Sequence, residues 1–475
     1  MDAISKFVSD NESLFHSELC EMLRFKSISA DPTCFDECVK MADWLVAHFL
    51  NMGIRAETFD VPGKHPVVFA QTPRILDAPT LLIYGHYDVQ PVDTGTSEGE
   101  KTNGTADAEV SEKSWRTDPF EPVFKDGLLY ARGASDDKGP VFAHIAAAKY
   151  WMQAESRPQI NVKFFLEGDE EGGNEEVRQF VRDHTDLLSC DYLVLSDTAQ
   201  FAPGQPSLSC GLRGLAAYEL TIHGPNRDLH SGTFGGAVTN PCNALVNLLS
   251  ALVDEDGRVL VPGFYDEVAR LSPEEARQLQ ILPFDESSFY ANLGVASGVG
   301  EKDFSVYERL RTRPTFDIHG ISAGYQGEGS KTVIPSEASA KFSFRLVPHQ
   351  SPEKITESLR ARLASLLPPG VRMTLDVHSE AKGVAIDTSL PCMKAAARAV
   401  EYGFGRSPLF VREGGAVPIV TTFKEALTPN IMLLALSLQT DNIHGPNEHF
   451  TMADFYRGIK TAAKLWQELA ALDLL

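Results

Sequence analysis

Five polar clusters stand out between residues 86 and 444: His86-Tyr87-Asp88, Asp136-Asp137, Glu170-Glu171, Asp197 and His444. Their side chains are the types that a pair of divalent cations requires. Two ions about 3.5 to 4 Å apart share a bridging carboxylate and complete their shells with neutral imidazoles and further carboxylates. The set divides evenly, with Asp136 as bridge, His86 and Asp197 on one ion, and Glu171 and His444 on the other. Zn²⁺ and Mn²⁺ both suit such ligands. Asp88 lies two residues beyond His86, so in extended backbone the two side chains share a face and the carboxylate can receive the second imidazole N–H. Ions of this kind lower the pKa of a water toward about 7, and a general base must finish its deprotonation and hand the proton to a leaving nitrogen. Glu170 is the candidate base.

Each cluster alone has a plainer reading. A lone His-x-Asp is more often a surface or core pair, Asp-Asp-Lys-Gly can be acids facing a helix dipole, and Glu-Glu pairs are usually solvated. What points to a site is their setting. Four of the five end or shortly follow an apolar run that reads as a buried strand: 81–84 before His86, 162–166 before Glu170, 192–195 before Asp197 and 431–436 before His444. Asp136 instead precedes a helix expected at 140–154, which opens with Pro140. Side chains at the carboxyl ends of parallel strands converge on one crevice. Adjacent strand residues face opposite ways, so Glu170 and Glu171 share a site only if the chain bends, and Gly172-Gly173 permit a bend.

The surrounding pattern supplies the frame. Helices are expected over 1–55, and strand and helix signals then alternate to about residue 205, which implies a mainly parallel α/β sheet. Between 211 and 382 the texture changes to half-exposed alternation, as in 217–222 and 340–346, each followed by a helical stretch. Helical and apolar-strand signals return from 391, ending with a helix whose apolar face is Met452, Phe455, Tyr456, Ile459, Ala463 and Trp466. The expected architecture is α/β. A mainly parallel-sheet catalytic domain (1–210 and 383–475) carries an inserted α+β domain (211–382). Residues 94–114 are rich in Gly, Thr, Ser and Glu and are expected to form a flexible loop.

The totals exclude several functions. A net charge of −22 argues against nucleic acid or an anionic membrane as partner. Seven widely spaced cysteines without a CxxC pair suggest neither a disulfide framework nor a thiolate zinc site, and fit a reducing cytoplasm. There is no run of 18 apolar residues and no basic, apolar leader at the start, so a soluble, unexported protein is expected.

The wording of these stretches resembles the M20 family of metallopeptidases, especially its cytosolic non-specific dipeptidase and carnosinase branch. The matching segments include Tyr84-Gly85-His86-Tyr87-Asp88-Val89-Gln90-Pro91, Tyr130-Ala131-Arg132-Gly133-Ala134-Ser135-Asp136-Asp137-Lys138-Gly139-Pro140 and Leu166-Glu167-Gly168-Asp169-Glu170-Glu171-Gly172. Asp228-Leu229-His230-Ser231-Gly232, Lys331-Thr332-Val333-Ile334-Pro335, Arg345-Leu346-Val347-Pro348, Arg412-Glu413-Gly414-Gly415 and His444-Gly445-Pro446-Asn447-Glu448 continue the match from about residue 15 to the end. The resemblance implies a zinc-exopeptidase type of catalytic domain and the same roles for His86, Asp136, Glu171, Asp197, His444 and Glu170. It implies that the inserted section is a lid carrying a homodimer contact. His230 would stabilise the tetrahedral oxyanion, usually in the partner subunit's site, Arg345 would grip the substrate's C-terminal carboxylate, and Thr332 would lie near the substrate. It also implies a cis peptide between Asp136 and Asp137. An Asp at the fourth cluster, here Asp197, goes with members acting on free amino termini.

Two departures bear on the substrate. Ala416 stands where the branch commonly has a substrate-contacting Ser, and residues 94–114 are an insertion. The leading expectation is therefore metal-dependent hydrolysis of dipeptides. The alternative is an amidohydrolase acting on N-acyl amino acids or related amides. A binding protein that had lost catalysis should lack a ligand or the base, and all are present.

Overall fold

The computed structural model describes residues 2–92, 114–173, 175–271 and 273–472, so all of the 94–114 insertion except Ser114 lies outside the described residues. The chain forms two compact units. One comprises Met1–Cys210, Ile386–Val411 and Thr422–Leu475, and the other Gly211–Ala385 and Arg412–Thr421.

The first unit is built on a twisted sheet. Its strands run, in spatial order, Arg55–Phe59, Val67–Gln71, Asn161–Glu167, Thr80–His86, Tyr192–Leu195, Ile431–Leu434 and Ser207–Leu212. The four from Asn161–Glu167 to Ile431–Leu434 are parallel. All but Thr80 of their residues are buried, as expected for strands covered on both faces. Arg55–Phe59, Val67–Gln71 and Ser207–Leu212 join antiparallel. The four strands expected from the sequence are thus the parallel ones, and the strands flanking them make the sheet as a whole mixed. An apolar run such as Val67-Val68-Phe69-Ala70 is buried on both faces whichever way it runs, so burial pattern alone does not reveal direction.

The helix after Asp136 spans Lys138–Gln153, starting two residues before Pro140. It lies tight against the His86 strand, where a Cβ on Gly85 would come 2.2 Å from Val141 Cγ2. The last helix, Met452–Ala470, buries Met452, Phe455, Ile459, Ala463 and Trp466 on the face read from sequence. Trp151 Nε1 donates to Ala463 O at 2.9 Å and joins these two helices. Each such fully buried large side chain contributes about 1.5 to 3 kcal/mol. Among the described residues no helix is long and apolar enough to cross a membrane.

The second unit contains an antiparallel sheet in the order Thr315–Ala323, Glu337–Leu346, Gly214–His223 and Arg372–Ala381. Burial alternates strictly along Gly214–His223, so one face makes a core and the other does not. Helices Pro241–Ser250 and Pro352–Leu366 supply that core with Leu245, Leu248, Leu359 and Leu363 against Tyr218, Phe342 and Phe344. Both helices begin with a side-chain cap followed by Pro: Asn240 accepts from Cys242 N–H and Ser351 from Lys354 N–H. Residues 412–421, placed by sequence with the catalytic domain, group here with the second unit. Arg213 explains this, since its backbone N–H donates to Gly415 O at 3.0 Å and its Nε to Gly414 O at 2.8 Å.

Candidate metal centre

Four sheet-end segments and one helix start bring the first-unit candidates together. His86, the last residue of its strand, is fully buried, and its Nε2 lies 3.0 Å from Asp136 Oδ1. His444 Nε2 lies 2.9 Å from Asp136 Oδ2 and 3.3 Å from Glu171 Oε1. The ligating atoms of His86, Asp136 and Asp197 are all within 4.8 Å of one another, and so are those of Asp136, Glu171 and His444. Asp136 belongs to both groups and offers one oxygen to each histidine, the arrangement of a bridging carboxylate. The Asp136–Asp137 peptide is cis, and the Asp137 carboxylate turns to the strand, accepting from His86 N–H at 3.3 Å.

Asp88 solves the problem of the adjacent glutamates. The strand stops at Glu167 and the chain turns through Glu170 and Glu171. Asp88 Oδ1 accepts from Glu170 N–H at 3.2 Å, while Oδ2 accepts from Glu171 N–H at 3.0 Å and Ser29 Oγ at 2.6 Å. One buried carboxylate thus fixes the turn that presents both glutamates. The same Oδ1 lies 3.3 Å from His86 Nδ1, and Asp88 O lies 3.1 Å from that nitrogen. Glu171 Oε2 accepts from Gln90 Nε2 at 2.7 Å.

The electrostatics decide whether cations fit. With its Nδ1–H given to Asp88, His86 aims an Nε2 lone pair at a carboxylate oxygen, which is repulsive without either a second ring proton or a cation between them. Burial alone would lower the His86 pKa, but Asp136 and Asp88 outweigh it and raise it well above the usual value. Hydrogen bonds to Asp136 and Glu171 lift His444 to about 10. Burial, reinforced by Asp136 and by Glu171, pushes Asp197 up to about 7. Glu170 is driven well above the carboxylate range, chiefly by burial and further by Asp197, Glu171 and Asp136. Buried carboxylates that resist ionisation together are a donor set short of positive charge. Divalent ions supply it, and the residues present fit a pair of them.

Sequence reasoning passes over Ser29 and Gln90. Ser29 sits in no motif and nothing in its neighbours foretells a contact with residue 88. Gln90 lies inside the His86 segment, and its amide so near an expected ligand and its orienting carboxylate was the available signal.

The other candidates lie in the second unit. His230 is exposed at the end of the short strand Leu229–His230. Its Nδ1 accepts from Gly232 N–H at 2.9 Å, which places the proton of the neutral ring on Nε2 as a donor. A Cβ on Gly232 would come 2.7 Å from His230 Cε1. Thr332 is exposed nearby, its carbonyl accepting from Ser231 N–H at 3.0 Å. Arg345 lies on Glu337–Leu346 between Leu215 and Thr315, half-buried, its pKa lowered by burial against the opposing pull of Asp317.

A sheet whose strand ends gather two histidines and four carboxylates around a shared aspartate defines a dinuclear metallohydrolase. More specifically, the chain belongs to peptidase family M20/M25/M40, whose profile matches residues 82–468. The resemblance read from the motifs is borne out. The chain is 30% identical over 490 residues to the Cys-Gly metallodipeptidase dug1 of Schizosaccharomyces pombe, covering 100% of this chain and 99% of the relative. It is 32% identical over 493 residues to the human Beta-Ala-His dipeptidase, covering 99% of this chain and 93% of the relative. Among solved structures it is similar to the M20 family metallo-carboxypeptidase Sso-CP2 from Sulfolobus solfataricus, with TM-score 0.84 and 31% identity over 96% of this chain and 99% of that one.

Proposed function

We propose that the chain is a metal-dependent dipeptidase in which His86, Asp136 and Asp197 hold one ion and Asp136, Glu171 and His444 the other. The observation that carries this reading is Asp136, with one oxygen 3.0 Å from His86 and the other 2.9 Å from His444. When bound, Zn²⁺ or Mn²⁺ ions supply Lewis-acid polarisation of the scissile carbonyl and acidify a water. Glu170, its backbone tied to Asp88, takes the proton from that water on its carboxylate and delivers it to the leaving amide nitrogen. Asp88 holds the His86 ring in the tautomer that leaves Nε2 for an ion. His230 donates its Nε2–H to the oxyanion, where charge develops only in the transition state. Arg345 pairs its planar fork with the substrate's terminal carboxylate, and Thr332 lies near the substrate.

The names of the fission yeast and human relatives support a dipeptide substrate. Asp197 supports one with a free amino terminus. Ala416, where the branch carries Ser, favours a second reading as a deacylase of N-acyl amino acids or related amides. The deciding experiment is hydrolysis by metal-stripped protein, resupplied with Zn²⁺ or Mn²⁺, of free dipeptides and their N-acetylated forms. Cleavage of the free dipeptides alone is expected; cleavage confined to the blocked forms would establish the second reading.

The second unit is assigned the role of lid and homodimer contact. Its edge strand Thr315–Ala323 is largely exposed and carries Ile318 and Ile321 outward, the kind of edge that invites strand pairing. If His230 acts across that contact, mixing His230→Ala with Glu170→Gln chains restores activity that neither has alone; no recovery in mixed dimers places His230 in its own subunit's site. A cytoplasmic location is consistent with seven cysteines that form no disulfide.

A further inference from the structure

The buried residues around the centre include a cation and an anion that touch no candidate ligand side chain. Arg132 is 2% exposed and Glu448 is 0% exposed, and Arg132 Nη1 donates to Glu448 Oε2 at 2.8 Å. Burying such a pair carries a desolvation cost that further hydrogen bonds offset, and here, Arg132 Nε apart, the remaining groups reach two separate ligand-bearing segments. Glu448 Oε2 also accepts from Gly133 N–H at 3.0 Å, and Oε1 accepts from Ser135 N–H at 2.9 Å and Asp136 N–H at 3.2 Å. Arg132 Nη2 donates to His444 O and to Pro91 O, both at 3.2 Å. The carboxylate thus grips the backbone that carries Asp136, and the guanidinium grips the backbone that carries His444.

The segment around His444 needs such fixing. Asn442, His444 and Asn447 have φ of 56°, 63° and 60°, a region disfavoured for residues with a Cβ and held only when contacts outside the segment impose it. His86 and Asp197 depend on other supports. His86 ends a strand paired on both sides and leans on Asp88, and Asp197 follows a strand paired on both sides.

We infer that Arg132 and Glu448 are a positioning pair for the metal centre, setting the separation of His444 from Asp136 and so controlling one ion site more than the other. This rests on the two-ion reading proposed above. In Arg132→Lys the ammonium can still meet Glu448 but cannot reach His444 O and Pro91 O with one planar fork. Glu448→Gln keeps the shape and turns an amide NH₂ toward backbone N–H donors, loosening Asp136 itself.

The test is calorimetric titration of metal-stripped full-length chain with Zn²⁺ alone, alongside the thermal midpoint of the same stripped samples. Two wild-type binding events are the precondition, and fewer than two would defeat the two-ion reading before any variant is considered. Arg132→Lys is expected to weaken one event by about 10- to 100-fold and leave the other within about threefold, with the stripped midpoint little changed. Glu448→Gln is expected to weaken both events, because Asp136 serves both ions, and gives a second measurement should Arg132→Lys fold poorly. Wild-type affinities in either variant would overturn the proposal. So would equal loss of both events in Arg132→Lys with a lowered stripped midpoint, which is what a general structural role predicts.

Discussion

The two units use their polar residues in opposite ways. In the first, His86 and Asp88 are fully buried and each is fixed by partners far away in sequence, Ser29, Asp136, Glu170 and Glu171 among them. In the second, His230 and Thr332 are exposed, and the His230 ring accepts from Gly232 N–H, only two residues along the chain. Groups that must hold like charges close together have to be set in place beforehand, or repulsion would spread them. Groups that meet a substrate need only be reachable in the right protonation state. The first unit accordingly reads as a preorganised centre and the second as an adaptable surface.

The contrast is broken most severely at the bridge. Asp136→Asn replaces one ligating oxygen with an NH₂ group that cannot bind a cation, so both sites lose a ligand or its charge. Turnover is expected to fall by at least about a thousandfold and neither ion should survive gel filtration, as measured by metal content and initial rates. Two retained ions would place the bridge elsewhere. A smaller effect is expected from the second unit. Arg345→Lys keeps the charge but loses the fork, so KM for a dipeptide should rise about tenfold with kcat and metal content nearly unchanged. An equal loss in kcat and kcat/KM would instead show that Arg345 acts in the transition state, and would narrow the difference between the units.

Much of this centre was legible in the sequence because ion chemistry leaves few choices of residue. His86, Glu170, Asp197 and His444 follow apolar runs that had to be strands, and the structure groups their neighbours as the ligand count divides them. What stayed hidden is the support. Arg132 and Glu448 lie inside stretches already singled out, yet a charged residue beside a ligand reads as solvated until the fold shows it buried. Ser29 gave no local signal at all, because its contact with Asp88 is made by folding across 59 residues. The flanking strands were hidden for a similar reason: Val67 to Ala70 are as buried as their parallel neighbours, and only pairing reveals that Val67–Gln71 runs the other way. The grouping of 412–421 with the second unit likewise depends on partners that no periodicity announces, Arg213 on Gly414 and Arg311 on Glu413 among them.

The central claim is that Glu170 moves the proton in a centre that the remaining residues hold intact. Its most direct test is Glu170→Gln, loaded with Zn²⁺ or Mn²⁺ and assayed on a free dipeptide with metal content measured on the same sample. Two bound ions with turnover reduced by roughly a hundredfold or more are expected, since general-base assistance contributes about 10²- to 10⁴-fold. Two bound ions with near-normal turnover would contradict the role assigned to Glu170.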